Sequence, residues 1–250
     1  MESKLTAISK SILVLKVLAE PPFAYSVLEI SEKLSLNRTT VHRILSEFQD
    51  AFIVVQNADK KYTIGPELYH IGSKYLYREK GFNRIKEIVD KVAIQLKQNI
   101  GYTVIDKGRI INLYESELTM PVKITYEHGS FFPIHCGAYG KTIMAHVEPH
   151  EVLETIVNST SLEKRTSKTI TDPKLLLEEY EKIRKQGYGI SDEENMPGAY
   201  GVGVPVFTSD GTIHGCLGLA AFKETFDGSQ LEFYIKVLKK GAREISKYIV

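Results

Sequence analysis

The sequence predicts an α+β chain: a mainly helical segment ending in a short hairpin, then a longer α/β part built around one antiparallel sheet. Three observations predict this. Apolar residues recur at helical spacing from Ala7 to Phe48. β-prone runs flank polar turns from Phe52 to Ile64, Tyr102 to Glu115 and Val202 to Phe222. A length of 250 residues exceeds the usual single domain and suits two.

Composition excludes several classes. Hydrophobic content of 43% with 25% charged residues is that of an ordinary globular protein, not a disordered chain. The formal net charge is only +1, so a nucleic-acid partner must be met by a local cluster of Lys and Arg. Cys136 and Cys216 lie far apart without ligand spacing, which favours buried free thiols over a disulfide or a metal site. The apolar run from Ile12 to Ala19 is interrupted by Lys16 and is far short of the ~20 residues of a membrane span. Neither signal peptide nor span is expected, which points to the cytoplasm and to no membrane partner.

Ala7 to Glu20 places Ile8, Ile12, Leu15 and Ala19 on one face of a first helix, and Pro21-Pro22 ends it. Ser26 and Glu29 form a capping box, which starts a second helix from Val27 to about Leu34 with Ile30 and Leu34 inward. Asn37 is suited to cap a third helix with the apolar stripe Val41, Ile44, Leu45 and Phe48. Opposite that stripe lie Arg38, Thr39, Thr40, His42 and Arg43. Two short helices joined by a tight turn, the second with cations and hydroxyls at its N-terminal end, form a helix-turn-helix whose second helix reads base edges in the major groove. The runs Phe52 to Val55 and Tyr62 to Ile64 then form a hairpin with Lys60 and Lys61 at its tip, a wing able to touch the DNA backbone. DNA binding through Asn37, Arg38, Thr39, Thr40, His42, Arg43, Lys60 and Lys61 follows from the conjunction.

After Gly65-Pro66, Glu67 to Tyr77 reads as a linker helix with Leu68, Ile71, Gly72, Tyr75 and Leu76 on one face, an edge that invites a symmetric partner. Asn83 to Asn99 is an amphipathic helix with Ile85, Ile88, Val89, Val92 and Leu96 inward. Tyr102 to Asp106 and Ile110 to Glu115 form a strand pair about Lys107-Gly108-Arg109, and Pro121 to Glu127 adds a third strand. Helices follow from Tyr139 to His146, from Pro149 to Asn158, and from the Asp172-Pro173 cap to Gly187. A last β section turns at Asp210-Gly211, and a helix from about Ser229 closes the chain.

Residues 137–142 read GAYGKT, whose last three residues look like the end of a phosphate-binding loop. Such a loop needs G-x-x-x-x-G-K-[ST], and the first glycine position is His135, so nucleotide binding is not supported and no cofactor is expected. His135 and Cys136 are candidate base and nucleophile, but neighbours on a strand point to opposite faces, which argues against an enzyme.

The stretches PIHCGAYGKTIMAH (Pro133–His146), TSKTITDPKLL (Thr166–Leu176) and RKQGYGISDEENMPGAYGVGVPVF (Arg184–Phe207), running into DGTIHGCLGLAAF, follow the winged helix in an order and spacing that resembles the IclR family of transcriptional regulators over essentially the whole chain. The resemblance implies a winged helix-turn-helix DNA-binding domain at 1–66, a linker helix at 67–81, and a GAF-like effector-binding and oligomerisation domain at 82–250. It implies a repressor more than an activator, acting as a homodimer or tetramer on a palindromic operator and sensing a small organic acid. A ligand-independent or partner-regulated DNA-binding protein of the same fold is the alternative. It further implies an effector site at Ala138, Tyr139, Gly140, Ser191, Gly201, Cys216, Gly218 and Ala220, with backbone N–H groups near Ala138 to Gly140 holding a carboxylate. Members that bind very small oxo-acids place an Asp where Ser191 stands and serines where Gly218 and Ala220 stand. Those losses, with the Tyr139 ring, imply an aromatic or bulky acid against a wall of Gly201, Cys216 and Gly218; the alternative is that Tyr139 fills the vacated space itself and the domain is ligand-free.

Overall fold

The structure, a computed structural model, describes residues 5–76, 81–116, 124 and 126–249. It divides into two compact units, residues 1–78 and 79–250.

The first unit contains helices α1 (Ala7–Leu18), α2 (Val27–Leu34) and α3 (Arg38–Asp50), the hairpin β1 (Val54–Gln56) and β2 (Tyr62–Ile64), and α4 (Pro66–Leu76). The capping box forms as the sequence predicts: Glu29 N–H donates to Ser26 Oγ and Ser26 N–H to Glu29 Oε2. Asn37 caps α3 by accepting from Thr39 N–H. The core is Val14, Val17, Leu18, Ile30, Val41, Ile44, Leu45, Val54 and two tyrosines, Tyr25 and Tyr62. Those tyrosines exchange backbone hydrogen bonds of 3.0 and 2.7 Å, which fasten the hairpin to the α1–α2 connection.

Two departures concern exposed apolar surface. α1 turns Val14, Val17 and Leu18 inward, and the stripe anticipated from Ile8 and Ile12 stays 74% and 48% exposed. α4 buries no residue at all, and it belongs to the first unit instead of standing as a separate segment. Both helices have a second apolar face that their own unit does not cover.

The second unit runs α5 (Phe82–Leu96), β3 (Asn99–Asp106), β4 (Arg109–Glu115), β5 (Phe131–Phe132), α6 (Ala138–Met144), α7 (His150–Ser159), α8 (Pro173–Gln186), β6 (Gly189–Asp192), β7 (Ala199–Phe207), β8 (Ile213–Phe222) and α9 (Leu231–Ile245). Its sheet is antiparallel in the order β5-β4-β3-β8-β7-β6. α5 buries all five residues expected to face inward, Ile85, Ile88, Val89, Val92 and Leu96. The strand expected at Pro121 to Glu127 falls largely on residues 121–123 and 125, outside the described ones; the edge strand beside β4 is β5.

Side chains alternate across β8, as the pleat requires. Leu217 approaches Gly241 of α9 on one face, and Cys216 and Gly218 lie under α6 on the other. Every residue of α6 is buried. Glycine permits that close seating. A Cβ on Gly140 would stand 1.9 Å from the Pro133 carbonyl oxygen, and one on Gly218 would stand 2.7 Å from Tyr139 Cε1.

This seating yields a stability prediction. Gly140→Ala should lower the unfolding free energy by about 1–3 kcal/mol through overpacking. Urea titration of the full chain checks it, and an unchanged midpoint would show that the Pro133 segment yields freely.

Candidate DNA-reading face and effector domain

On α3, Asn37, Arg38, Thr39, His42 and Arg43 are exposed and Thr40 is half-buried, so the six lie together at one end of the helix. Local bonding narrows what each can offer. Asn37 Oδ1 accepts from both the N–H and the hydroxyl of Thr39, at 2.9 and 2.5 Å, which commits both side chains to capping. Arg38, His42 and Arg43 make no comparable side-chain bond among the described residues. At the wing tip Lys60 is exposed in a left-handed turn with φ 58°. Lys61, anticipated as its companion, instead turns its ammonium to Glu29 Oε1 at 2.8 Å. That ion pair, with the Ser26 backbone and hydroxyl, lowers the Glu29 carboxyl to about 2. The sequence does not disclose the pairing, because the partners are separated by 32 positions.

In the second unit the structure brings the anticipated effector residues together and fills the space between them. Ala138, Tyr139, Gly140, Ser191, Gly201, Cys216, Gly218 and Ala220 are all buried. Strand register sets Ser191 beside Gly201, Gly201 beside Ala220, and Gly218 between Gly101 and Gly203. Tyr139 fills the vacated space itself, as the alternative reading has it. It lies on α6, only 2% exposed, and its hydroxyl donates to the Gly218 carbonyl at 3.1 Å. Tyr126 and Phe132 close around the ring at centroid distances of 5.9 and 5.1 Å. Burial pushes its phenol well above the ordinary range, so it acts as a neutral donor.

The start of α6 is also occupied. Glu194, from the loop after β6, reaches α6 through Lys141, and its half-buried carboxylate lies beside the helix start where a ligand carboxylate was anticipated near Ala138 to Gly140. The lysine of GAYGKT serves the core and not a phosphate. Lys141 is fully buried, with Nζ 2.9 Å from Glu179 Oε1 and 2.6 Å from Glu194 Oε1. Burial raises the Glu194 carboxyl despite that neighbour. No sequence pattern signals this triad, whose acids come from α8 and from the loop after β6.

The candidate nucleophile and base are disengaged. His135 Nε2 bonds the Glu163 carbonyl at 2.9 Å, and the Cys136 thiol reaches Asn195 Oδ1 at 3.5 Å. Burial pushes Cys136 up to about 11 and Cys216 higher, so both remain thiols at neutral pH. Among the described residues no His, Cys, Asp and Glu group is arranged to hold a metal ion.

Residues 73–247 match the family model described as the bacterial transcriptional regulator IclR C-terminal domain, and residues 7–58 match the IclR helix-turn-helix domain. The chain belongs to the IclR family. IclR-family members are DNA-binding transcriptional regulators with an effector-binding C-terminal domain, and not enzymes. A curated relative, the HTH-type transcriptional regulator KdgR of Escherichia coli, is 24% identical over 221 residues, covering 88% of this chain and 84% of its own. The IclR-family crystal structure from Alicyclobacillus acidocaldarius shares the fold with TM-score 0.83 at 23% identity, covering 98% of this chain and 99% of its own. An IclR homologue from Microbacterium hydrocarbonoxydans, crystallised with 4-hydroxybenzoate, shares it with TM-score 0.79 at 20% identity, covering 97% and 98%.

The buried triad yields a second prediction. Lys141→Met should strand two carboxylates against α6 and cost about 3–5 kcal/mol. Chemical denaturation measures the loss, and a variant as stable as the parent would mean that Glu179 and Glu194 reach water without the lysine.

Proposed function

We propose that the chain represses transcription by binding a palindromic operator as a homodimer or tetramer, released or retained according to an aromatic or otherwise bulky organic acid. The observation that carries the DNA part is the exposed end of α3, where Arg38, His42 and Arg43 make no side-chain bond among the described residues that would withdraw them from bases. Thr40, half-buried between them, supports the same face, and Lys60 supplies a phosphate contact beside it. Asn37, Thr39 and Lys61 act in this reading mainly by fixing the helix start and the wing. The apolar stripes left exposed on α1 and α4, with Tyr69 and Ile71 at 81% and 53%, support self-association, because one winged helix covers only one half-site.

For the effector, Gly218 and Ala220 bring no side-chain hydrogen-bonding group to the sheet under α6, which disfavours a compact polar acid. The 4-hydroxybenzoate held by the Microbacterium homologue fits the same class. A second reading, a regulator that needs no ligand, is favoured by the Tyr139 hydroxyl bond, since a side chain already satisfies the interior.

Fluorescence anisotropy with operator DNA tests the DNA assignment. Arg38→Ala and Arg43→Ala should each cost about 1–3 kcal/mol on the operator and relax specificity. Lys60→Ala should weaken all sequences alike and flatten the salt slope by about 1, whereas Lys61→Ala should do less. Unchanged affinity in all four variants would refute the assignment. Light scattering at micromolar concentration should give a dimer or larger; a monomer that still binds operator tightly would remove the self-association. Calorimetry with glyoxylate, pyruvate and benzoates decides the effector class: tight binding of the two- or three-carbon acids alone would overturn the aromatic reading.

A further inference from the structure

A groove of about 470 Å³ runs along one side of α9 and is walled on the other by Tyr188, in the connection between α8 and β6. None of the candidate effector residues lines it. In a chain of net charge +1, α9 alone sets Lys236, Lys239, Lys240 and Arg243 against Glu232 and Glu244. Lys236, Lys239 and Arg243 line the groove, and Glu232 is the one acid among its lining residues. None of these three cations forms an ion pair among the described residues.

A charged helix face in water ordinarily needs no partner, because long cationic side chains gain little from being fixed. Lys239 is fixed nonetheless. Its Nζ donates to the Gln186 carbonyl at 3.2 Å and stands 5.5 Å from the centroid of the Tyr188 ring. Gly187, in the left-handed region at φ 72°, leaves room for that approach, since a Cβ there would stand 3.2 Å from the same ammonium. An ammonium has three donors, so this one is held in place with donors to spare. Lys236 lies about 4.5 Å before it along the helix axis and Arg243 about 6 Å after it. Ile235 and Tyr188, both half-buried, add apolar surface beside these charges.

We propose that this groove docks an extended acidic segment of a partner protein. Its carboxylates pair with Lys236, Lys239 and Arg243, and the alternate side chains are apolar and lie against the Tyr188 wall. The dimensions agree: from Glu232 to Arg243 the helix advances about 16 Å, the length of about five extended residues. Side chains on one face of an extended segment recur about every 6.6 Å, close to the spacing of the cations. A nucleic acid fits less well, because Glu232 repels phosphates and a phosphodiester backbone has no apolar group to set against Tyr188 and Ile235. The contact is additional to operator and effector binding and uses neither α3 nor α6.

Fluorescence anisotropy of the full chain at low salt, with a fluorescein-labelled octapeptide of alternating Glu and Val, tests the groove. The same peptide with Gln in place of Glu should bind at least about tenfold more weakly. Lys236→Glu and Arg243→Glu should each weaken the Glu peptide at least about tenfold, whereas Lys182→Glu, the same charge change on α8 outside the groove, should alter it by less than about twofold. Tyr188→Ala should weaken it without any change in net charge. All of these variants should melt with the parent, since the three charged side chains are exposed and Tyr188 is only half-buried. Equal binding of the two peptides, or equal losses in Lys182→Glu and Arg243→Glu, would reduce the effect to overall charge and overturn the site. No binding of the Glu peptide overturns it as well. A non-operator DNA duplex that displaces the peptide, and itself binds Arg243→Glu about tenfold more weakly than the parent, would assign the groove to nucleic acid and overturn the proposal.

Discussion

The direct contact between α6 and the sheet governs the second unit. A helix ordinarily stands about 10 Å from a sheet because side chains from both layers fill the gap. Here glycines on the strands remove one layer: a Cβ on Gly203 would stand 2.9 Å from Thr142 Oγ1, and one on Gly218 would meet Tyr139. The helix therefore sinks until its own side chains touch strand backbone. Thr142 reaches the Gly203 carbonyl and Tyr139 the Gly218 carbonyl. Three consequences follow from that depth: a fully buried lysine, a tyrosine whose hydroxyl must find a backbone acceptor, and an interior with its polar groups largely supplied from within.

The lysine follows from the same constraint. An ammonium at zero exposure is tolerable only with paired charge and hydrogen bonds, because desolvation costs several kcal/mol per ion. Two carboxylates answer it, Glu179 and Glu194. Lys182 Nζ also lies 3.7 Å from Glu179 Oε2, and burial raises the Glu194 carboxyl. The triad joins α6, α8 and the β6–β7 loop, so the residues that look like half of a nucleotide site instead lock three elements in place.

Local patterns were legible in the sequence, and distant pairings were not. The Ser26–Glu29 box, the Asn37 cap, the Asp172-Pro173 helix start and the apolar stripe of α5 depend on residues within a few positions of one another, and each forms as read. Periodicity alone did not say which stripe of α1 faces the core, because that helix has apolar residues on more than one side and the packing of α2 and α3 selects Val14, Val17 and Leu18. Lys61 pairs with an acid 32 residues earlier and Lys141 with acids 38 and 53 residues later, separations that no spacing rule encodes. Strand register brings Ser191, Gly201, Gly218 and Ala220 next to one another, as the spacing alone could not show. Their grouping did not reveal whether the space between them was empty, because that depends on the volume of one ring, Tyr139.

An effector acts on a regulator only by binding one arrangement better than another, and equal affinity for both shifts nothing however tight. A chain of touching rings is therefore not a mechanism by itself. What it supplies here is an element with a discrete alternative. Tyr139 either donates to the Gly218 carbonyl or loses that bond, and a buried carbonyl left unpaired costs about 1–3 kcal/mol. That penalty is within the coupling energies typical of allosteric proteins, about 1–3 kcal/mol.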